Sequence, residues 1–439
     1  MRSWAALLLL VLAARAGAAE SGELAAKAEA FRAQIHARHL SREGLLLYRV
    51  DLRTIERDLE SGAYPENADG PTFNGLFAGA ACARAETTQG QPRAEALADA
   101  SLALGGLELQ MRVTGIRGLL ARTARRMPAH ERASGEWHAA HGEYAGWYWR
   151  GDVSMDQYAN GLVPAIGLCR RLFPERVRAL AVDAASHLVA NDFELTDPDG
   201  ERTRYGDLSW RSGFGFNSIA QLTSYAILSL AAELDPADDR WRATRDRLRD
   251  HYRVVARART TNLRVLGITG HSNDLMAFNL YRVLVPLARE TRDPALADLR
   301  HGLWRSWLRV RDDGNAYFDL VFCSLEPPGC DASLLARARG LLAAFPLEKR
   351  KLGTSAAAAD LPARLIPGRK WKRLARDVVP MEARTASSFE WKSSPYRLSD
   401  HANPTTEYTG LDYMVAYWLY ESVCAARDDC PSGNLAAEP

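Results

Sequence analysis

Apolar positions recur at intervals of three and four along most of the chain, and alternating strand-like runs are scarce, so the pattern predicts an almost wholly helical protein. Helices are expected near 23–39, 74–88, 93–113, 155–173, 175–191, 217–234, 238–258, 273–289, 294–310, 331–344 and 405–426. They alternate in character. Asn217 to Leu234 is apolar almost all round, whereas Asp239 to Tyr252 carries one apolar stripe and a charged face. The first kind is buried on every side and the second on one. The same contrast separates 155–173 from 175–191 and 273–289 from 294–310. Short turns join the members, so the pattern describes helical hairpins with an inner and an outer helix, closed into a double ring within a single all-α domain over 19–439.

Inner helices in such a ring run in one direction, because an antiparallel outer helix separates each from the next. Their N-termini are therefore expected to open onto one face. The loops that lead into them are Asp69–Asn74, Arg150–Asp156, Trp210–Asn217, His271–Asp274 and His401–Glu407, the most polar and aromatic turns in the chain. Side chains far apart in sequence would converge there on a cleft whose free helix N–H groups favour acidic ligand groups.

One stretch concentrates the chemistry. Gly146 to Tyr158 sets Trp147, Tyr148, Trp149, Arg150, Asp152 and Asp156 immediately ahead of a long apolar helix. Ser154 followed by Gln157 reads as a capping box, which starts the helix at Met155 and puts Asp156 in its first turn, where the macrodipole favours a negative charge. Asp152 falls just outside, beside rings that could desolvate it, and such unequal environments separate an acid from a base. The alternative is that Asp152 shapes a turn, Asp156 answers the dipole and the aromatics close the core.

A chain of 439 residues with 47% hydrophobic content has material for a large core. Arg2, the apolar run Ala5–Ala14 and Ala16-Gly17-Ala18 form the pattern of a secretion signal over residues 1–18, so the mature protein is expected to be exported, to the periplasm or beyond. No later apolar run is long enough for a membrane span. Loss of Arg2 and Arg15 with the signal turns 56 basic against 54 acidic residues into 54 against 54. A neutral chain argues against nucleic acid as a partner. Six cysteines in an exported protein suggest disulfides: Cys323 with Cys330 and Cys424 with Cys430 as local staples, and Cys82 and Cys169 as a third bridge or two buried thiols. No Cys-x-x-Cys or His-rich cluster suggests a metal, and no cofactor is implied. Lys349 to Arg376 breaks the helical rhythm and carries the basic run Arg369–Arg373, read as an irregular surface crossing.

Several of these loops resemble the six-hairpin glycosidase-like (α/α)6 toroid superfamily, and within it an uncharacterised secreted bacterial group. The resemblance lies in Thr72-Phe-Asn-Gly75, Val113-Thr-Gly115 with Leu120-Ala-Arg122, Gly151–Gln157, His271–Phe278 and Gly410–Trp418, spread from about 69 to 420. It implies a toroid with a cleft at one end, which in the broader superfamily often hydrolyses, cleaves or epimerises sugars. It transfers no activity, because no catalytic motif of a characterised branch matches.

A glycosidase needs two carboxyl groups flanking the scissile bond. Asp152 as acid with Asp156 as base or nucleophile is the leading pair, with Asp274 or Glu407 as a partner from across the cleft. His271, expected to project over a helix capped by Ser272, could abstract a proton with Tyr158 as acid in a lyase or epimerase acting on uronic acids, or could simply pack at the helix start. Arg122, Arg125 and Arg150 could neutralise a sugar carboxylate. Trp147, Trp149 and Trp210 could stack on sugar faces or fill the core. Asn273 lies at the same rim, where it and Ser272 suit capping better than catalysis. No Ser-His-Asp order, phosphate-cradling loop or His-Glu-x-x-His is present. The sequence thus predicts a carbohydrate-active enzyme using carboxylates, with a non-catalytic glycan or envelope binder as the rival from another class. A terpene-cyclase-like toroid is disfavoured by the absence of an Asp-x-Asp-Asp motif.

Overall fold

The structure, a computed structural model, describes residues 22–53, 68–126, 135–215, 217–258, 270–366, 372–398, 401–427 and 430; the expected signal segment, residues 1–18, lies outside them. Twelve long helices stand out among these residues. They are α1 (22–39), α2 (Gly70–Thr87), α3 (Gly90–Arg112), α4 (155–169), α5 (Pro174–Ala190), α6 (Ser218–Leu234), α7 (239–251), α8 (Ser272–Thr291), α9 (Leu296–Val310), α10 (Ala316–Leu325), α11 (Ala332–Ala343) and α12 (Leu411–Ala425). Eleven follow the apolar periodicity; α10 was not among the expected helices.

Burial sorts them into two rings. α2 is buried from Gly70 to Ala85 and α6 from Ser218 to Ala232, on all sides. α5 hides one stripe, Val177, Leu180, Ala181, Ala184 and Leu188, and α9 another, Leu299, Gly302, Leu303, Ser306 and Val310. Going round the inner ring, α2 packs on α4, α4 on α6 and α8, α6 on α8, α8 on α10, α10 on α12, and α12 back on α2. Each inner helix has an outer neighbour in sequence, and α1 completes the set by packing on α12, where the Tyr413 hydroxyl donates to the Leu24 carbonyl at 2.9 Å. The architecture is a closed double ring of six hairpins.

α2 and α4 approach backbone to backbone. A Cβ on Gly75 would stand 2.0 Å from the Gly161 carbonyl oxygen, and one on Gly161 would stand 2.2 Å from that of Pro71, so both positions need glycine. The Cys82–Cys169 disulfide joins the same two helices further along, and Cys323–Cys330 and Cys424–Cys430 close the two local loops. A π turn over Tyr158–Leu162 precedes Pro164, which has no N–H to give, and Val163 bonds instead to the Tyr158 carbonyl.

Short strands decorate the ring. β1 (Arg49–Asp51) and β7 (Arg350–Lys351) flank β10 (Asn403–Tyr408); β2 (Thr123–Arg126) and β3 (Trp137–Ala139) flank β4 (Trp147–Arg150). β5 (Glu194–Thr196) pairs with β6 (Arg202–Asp207), and β8 (Ala363–Ile366) with β9 (Lys372–Ala375). The last hairpin lies within the crossing read as irregular, and residues 405–408, expected to begin the final helix, belong instead to β10. Among the described residues no helix is long and apolar enough to cross a membrane.

Candidate active site

The N-termini of all six inner helices meet at one end. Gln157 in the first turn of α4 donates its side-chain amide to the carbonyl of Ala68, just before α2, at 2.8 Å, and Asn217 before α6 touches Met155. A turn at Glu390–Lys392 gathers the others. Its Lys392 carbonyl accepts the His271 N–H ahead of α8 at 2.9 Å, and its Trp391 carbonyl accepts from the Asn315 side chain ahead of α10 at 3.0 Å. The Glu390 N–H donates to Asp412 at the start of α12 at 2.8 Å, and Lys392 Nζ reaches Asp69, before α2, at 3.9 Å. The expected convergence is therefore present, and it includes a sixth turn, at Asn315, that the sequence reading did not single out.

Arg122 occupies the gap between two of these ends. Its Nε donates to the Ala68 carbonyl at 2.9 Å, while Nη2 stands 4.0 Å from Asp69 and Nη1 4.0 Å from Asp152. The three side chains keep 19%, 31% and 24% of their surface open to solvent. Asp69 is the N-cap residue of α2, yet its side chain makes no capping bond. Asp152 sits in the left-handed region at φ 55°, a conformation aspartate tolerates, with its N–H donating to Asp197 at 2.9 Å and its carboxylate accepting the Arg204 N–H at 2.7 Å. Behind it, burial raises the pKa of Asp197 above the ordinary carboxylate value despite the Asp152 N–H and the nearby His138. Gly151 leaves the space for that cluster: a Cβ there would stand 2.8 Å from His138 Nε2 and 3.0 Å from Asp197.

Asp156 accepts the Ser154 hydroxyl within its own turn, while Gln157 accepts the Ser154 N–H at 3.0 Å. Tyr158 is fully buried. Its hydroxyl donates to the Gly118 carbonyl and accepts the Leu120 N–H, and burial pushes the phenol well above its ordinary pKa, so it braces a loop instead of offering a proton. His271 is itself the N-cap of α8, without a capping bond, and points inward, correcting the expectation that it projects over a helix capped by Ser272. Its Nδ1 lies 3.0 Å from Asp274 and its Nε2 3.4 Å from Asp313, with the edge of Phe318 packed against it. Burial would raise Asp274, but the His271 hydrogen bond and the Arg309 charge outweigh it and hold that carboxyl below its ordinary value. Asp274 is thus committed to His271 and Arg309; Asn273 is exposed beside it.

Glu407 shares this end of the molecule but not the opening. It receives Arg38 in a two-point pair at 2.6 and 3.0 Å and lies 3.1 Å from His39, which together overcome the cost of burial and hold its pKa at about 2. Trp147 and Trp149 alternate inward along β4 into the core, with Arg150 on the outer face, where Glu136 accepts its Nε at 2.7 Å. Arg125 lies over the Trp137 ring. Trp210 is half-buried at the rim, stacked on Tyr252. Of the expected site residues, Asp152 and Arg122 stand together at the mouth. Asp69 and Lys392 were missed; Asp69 lay in a loop already read as a helix lead-in, but only its tertiary neighbours distinguish it from a cap.

No family model and no curated protein matches the chain. Among solved structures it is similar to a GH family 9 endoglucanase, J30, at 13% identity and a TM-score of 0.40, and to a zinc-binding triple mutant of that enzyme at 13% and 0.41. It is also similar to AaCel9A in complex with a cellobiose-like isofagomine, at 12% identity and a TM-score of 0.35. Each likeness covers 80% of this chain and 72% of the other. With six inner helices closed on themselves and six outer ones around them, the chain has an (α/α)6 toroid fold of six helical hairpins.

Proposed function

We propose that this protein is an exported carbohydrate-active enzyme that hydrolyses glycosidic bonds at the mouth of the inner ring, with Asp152 and Asp69 as its pair of carboxyl groups. The observation that carries this reading is their placement on either side of Arg122, with 31% and 24% of Asp69 and Asp152 open to solvent. Each lies 4.0 Å from one guanidinium, so the two carboxyl groups stand within about 10 Å of each other, a limit that accommodates both the inverting spacing and the closer retaining one. In this reading Asp152 protonates the departing oxygen. Asp69, flanked by Arg122 and Lys392, orients the water or attacks the sugar carbon. Three disulfides support export to an oxidising compartment. The pairing of Tyr158 with His271 required by the lyase reading is disfavoured, because both are buried and engaged elsewhere.

The test is turnover on a panel of neutral and acidic polysaccharides, followed by reducing ends and by the ultraviolet absorbance of unsaturated products. Reducing ends without unsaturation are expected, with losses of about 100-fold or more in Asp152→Asn and Asp69→Asn, the scale of a missing acid or base. Unsaturated products would replace hydrolysis by elimination. Binding without turnover would make the protein a glycan binder, and full activity in either variant would remove that residue from the pair.

A further inference from the structure

The flank of the mouth beyond Asp152 is lined by rings and cations. The Arg204 N–H holds Asp152, and the Arg204 guanidinium lies 5.9 Å from the ring of Tyr205, which is 63% exposed. Six residues beyond Arg204, at most about 20 Å of extended chain, Trp210 stacks on Tyr252 with centroids 4.2 Å apart and planes at 10°. Arg211 lies 5.1 Å from the Trp210 ring; Arg247 lies 5.4 Å from the Tyr252 ring and donates to its hydroxyl at 3.0 Å. These four side chains, with Phe193 and Asp192, line a cavity of about 220 Å³. Phe214, 99% exposed and in the left-handed region at φ 56°, follows in the same loop.

Neither Arg204, Arg211 nor Arg247 has a carboxylate at ion-pair distance among the described residues, whereas Arg170, Arg176 and Arg309 elsewhere in the ring are paired. The whole chain has a formal charge of only +2, so this surplus is local. Guanidinium groups laid on aromatic faces are held in place, and their outward N–H forks suit a carboxylate or sulfate, while open rings beside them suit the face of a sugar. Asp192 is the single carboxylate in the cavity lining and stands at its exposed edge.

We infer that this flank is a subsite for an acidic sugar unit, so that the polysaccharide reaching Asp152 is anionic, bearing carboxylate or sulfate groups; this rests on the carbohydrate reading above. The test is calorimetric binding at physiological ionic strength of polygalacturonate against its methyl-esterified form, and of dextran sulfate against dextran. At least one acidic member is expected to bind about tenfold or more tightly than its neutral counterpart. The Arg211→Gln/Arg247→Gln variant is expected to lose that preference through weaker binding of the acidic member, its folding checked by melting temperature. Equal affinity for both charge classes, or a preference that survives the double substitution, overturns this inference and leaves the carbohydrate reading standing. Binding of neither class overturns both.

Discussion

Gln157 and Ala68, 89 residues apart in sequence, are joined by a 2.8 Å hydrogen bond from side-chain amide to carbonyl, and the same side chain accepts the Ser154 N–H. One buried group thereby fastens the turns that carry Asp69 and Asp152. Gln157→Ala strands the Ser154 N–H and leaves the Ala68 carbonyl to Arg122 alone, and is expected to cost about 1–3 kcal/mol. Urea denaturation checks it: the midpoint should fall with the slope unchanged, and the variant should lose turnover beyond its loss of stability. A midpoint equal to that of the parent would rule out the fastening role.

The bridge between Cys82 and Cys169 closes 87 residues, and that between Cys323 and Cys330 only 7. Chain entropy assigns about 4–5 kcal/mol to the first and about 2.5 kcal/mol to the second. Paired alanine substitutions at each bridge, compared by thermal melting, should rank in that order. The reverse order would mean that local packing, not chain closure, sets the value of these bridges.

Lys349 and Asp412 form a 2.7 Å ion pair with almost no exposure, and Asp412 also receives the Glu390 N–H. Removing one partner leaves a buried charge, so Lys349→Met is expected to destabilise the protein by about 3–5 kcal/mol. Because Asp412 also anchors the Glu390–Lys392 turn, hydrogen exchange at His271 should rise in the same variant. Protection equal to the parent's would disconnect the pair from the mouth.

Two carboxyl groups pull the pH dependence in opposite directions. Burial would raise Glu407, but His39 and Arg38 hold it at about 2 against an ordinary 4.5, so its contribution is full above pH 4.5 and is lost as pH falls toward 2. Burial pushes Asp319 up to about 7 from 3.8, against Arg337 and Trp307, so its contribution is full below pH 3.8 and is lost as pH rises through 7. At about 1.4 kcal/mol per unit, the two effects amount to about 3 and about 4 kcal/mol. Stability measured from pH 2 to 8 should lose its acid limb in Glu407→Gln and its decline toward neutrality in Asp319→Asn. Unchanged profiles would exclude these residues as the source.

The double ring was legible because burial on all sides and burial on one side leave different periodicities, as in α6 and α7. α10 escaped because Ala316–Leu325 is a short, nearly continuous apolar run, which periodicity alone does not distinguish from a strand. At the mouth, Asp152 and Arg122 were legible from their loops. Glu407 was misread because β10 pairs with β1, an alignment across more than 350 residues that turns it toward Arg38. Trp147 and Trp149, open in the sequence between a sugar platform and the core, go to the core because the strand character of β4 sends alternate residues inward.

The inner ring has a seam, and the seam is made last. α12 lies between α10 and α2, so until residues 411–425 dock, the apolar flanks they cover stay bare and the other five inner helices can form only an open arc. A chain whose α12 has not yet docked presents a sticky edge to every neighbour, and the docking of that helix, not the folding of any single hairpin, becomes the step at which the molecule is sealed.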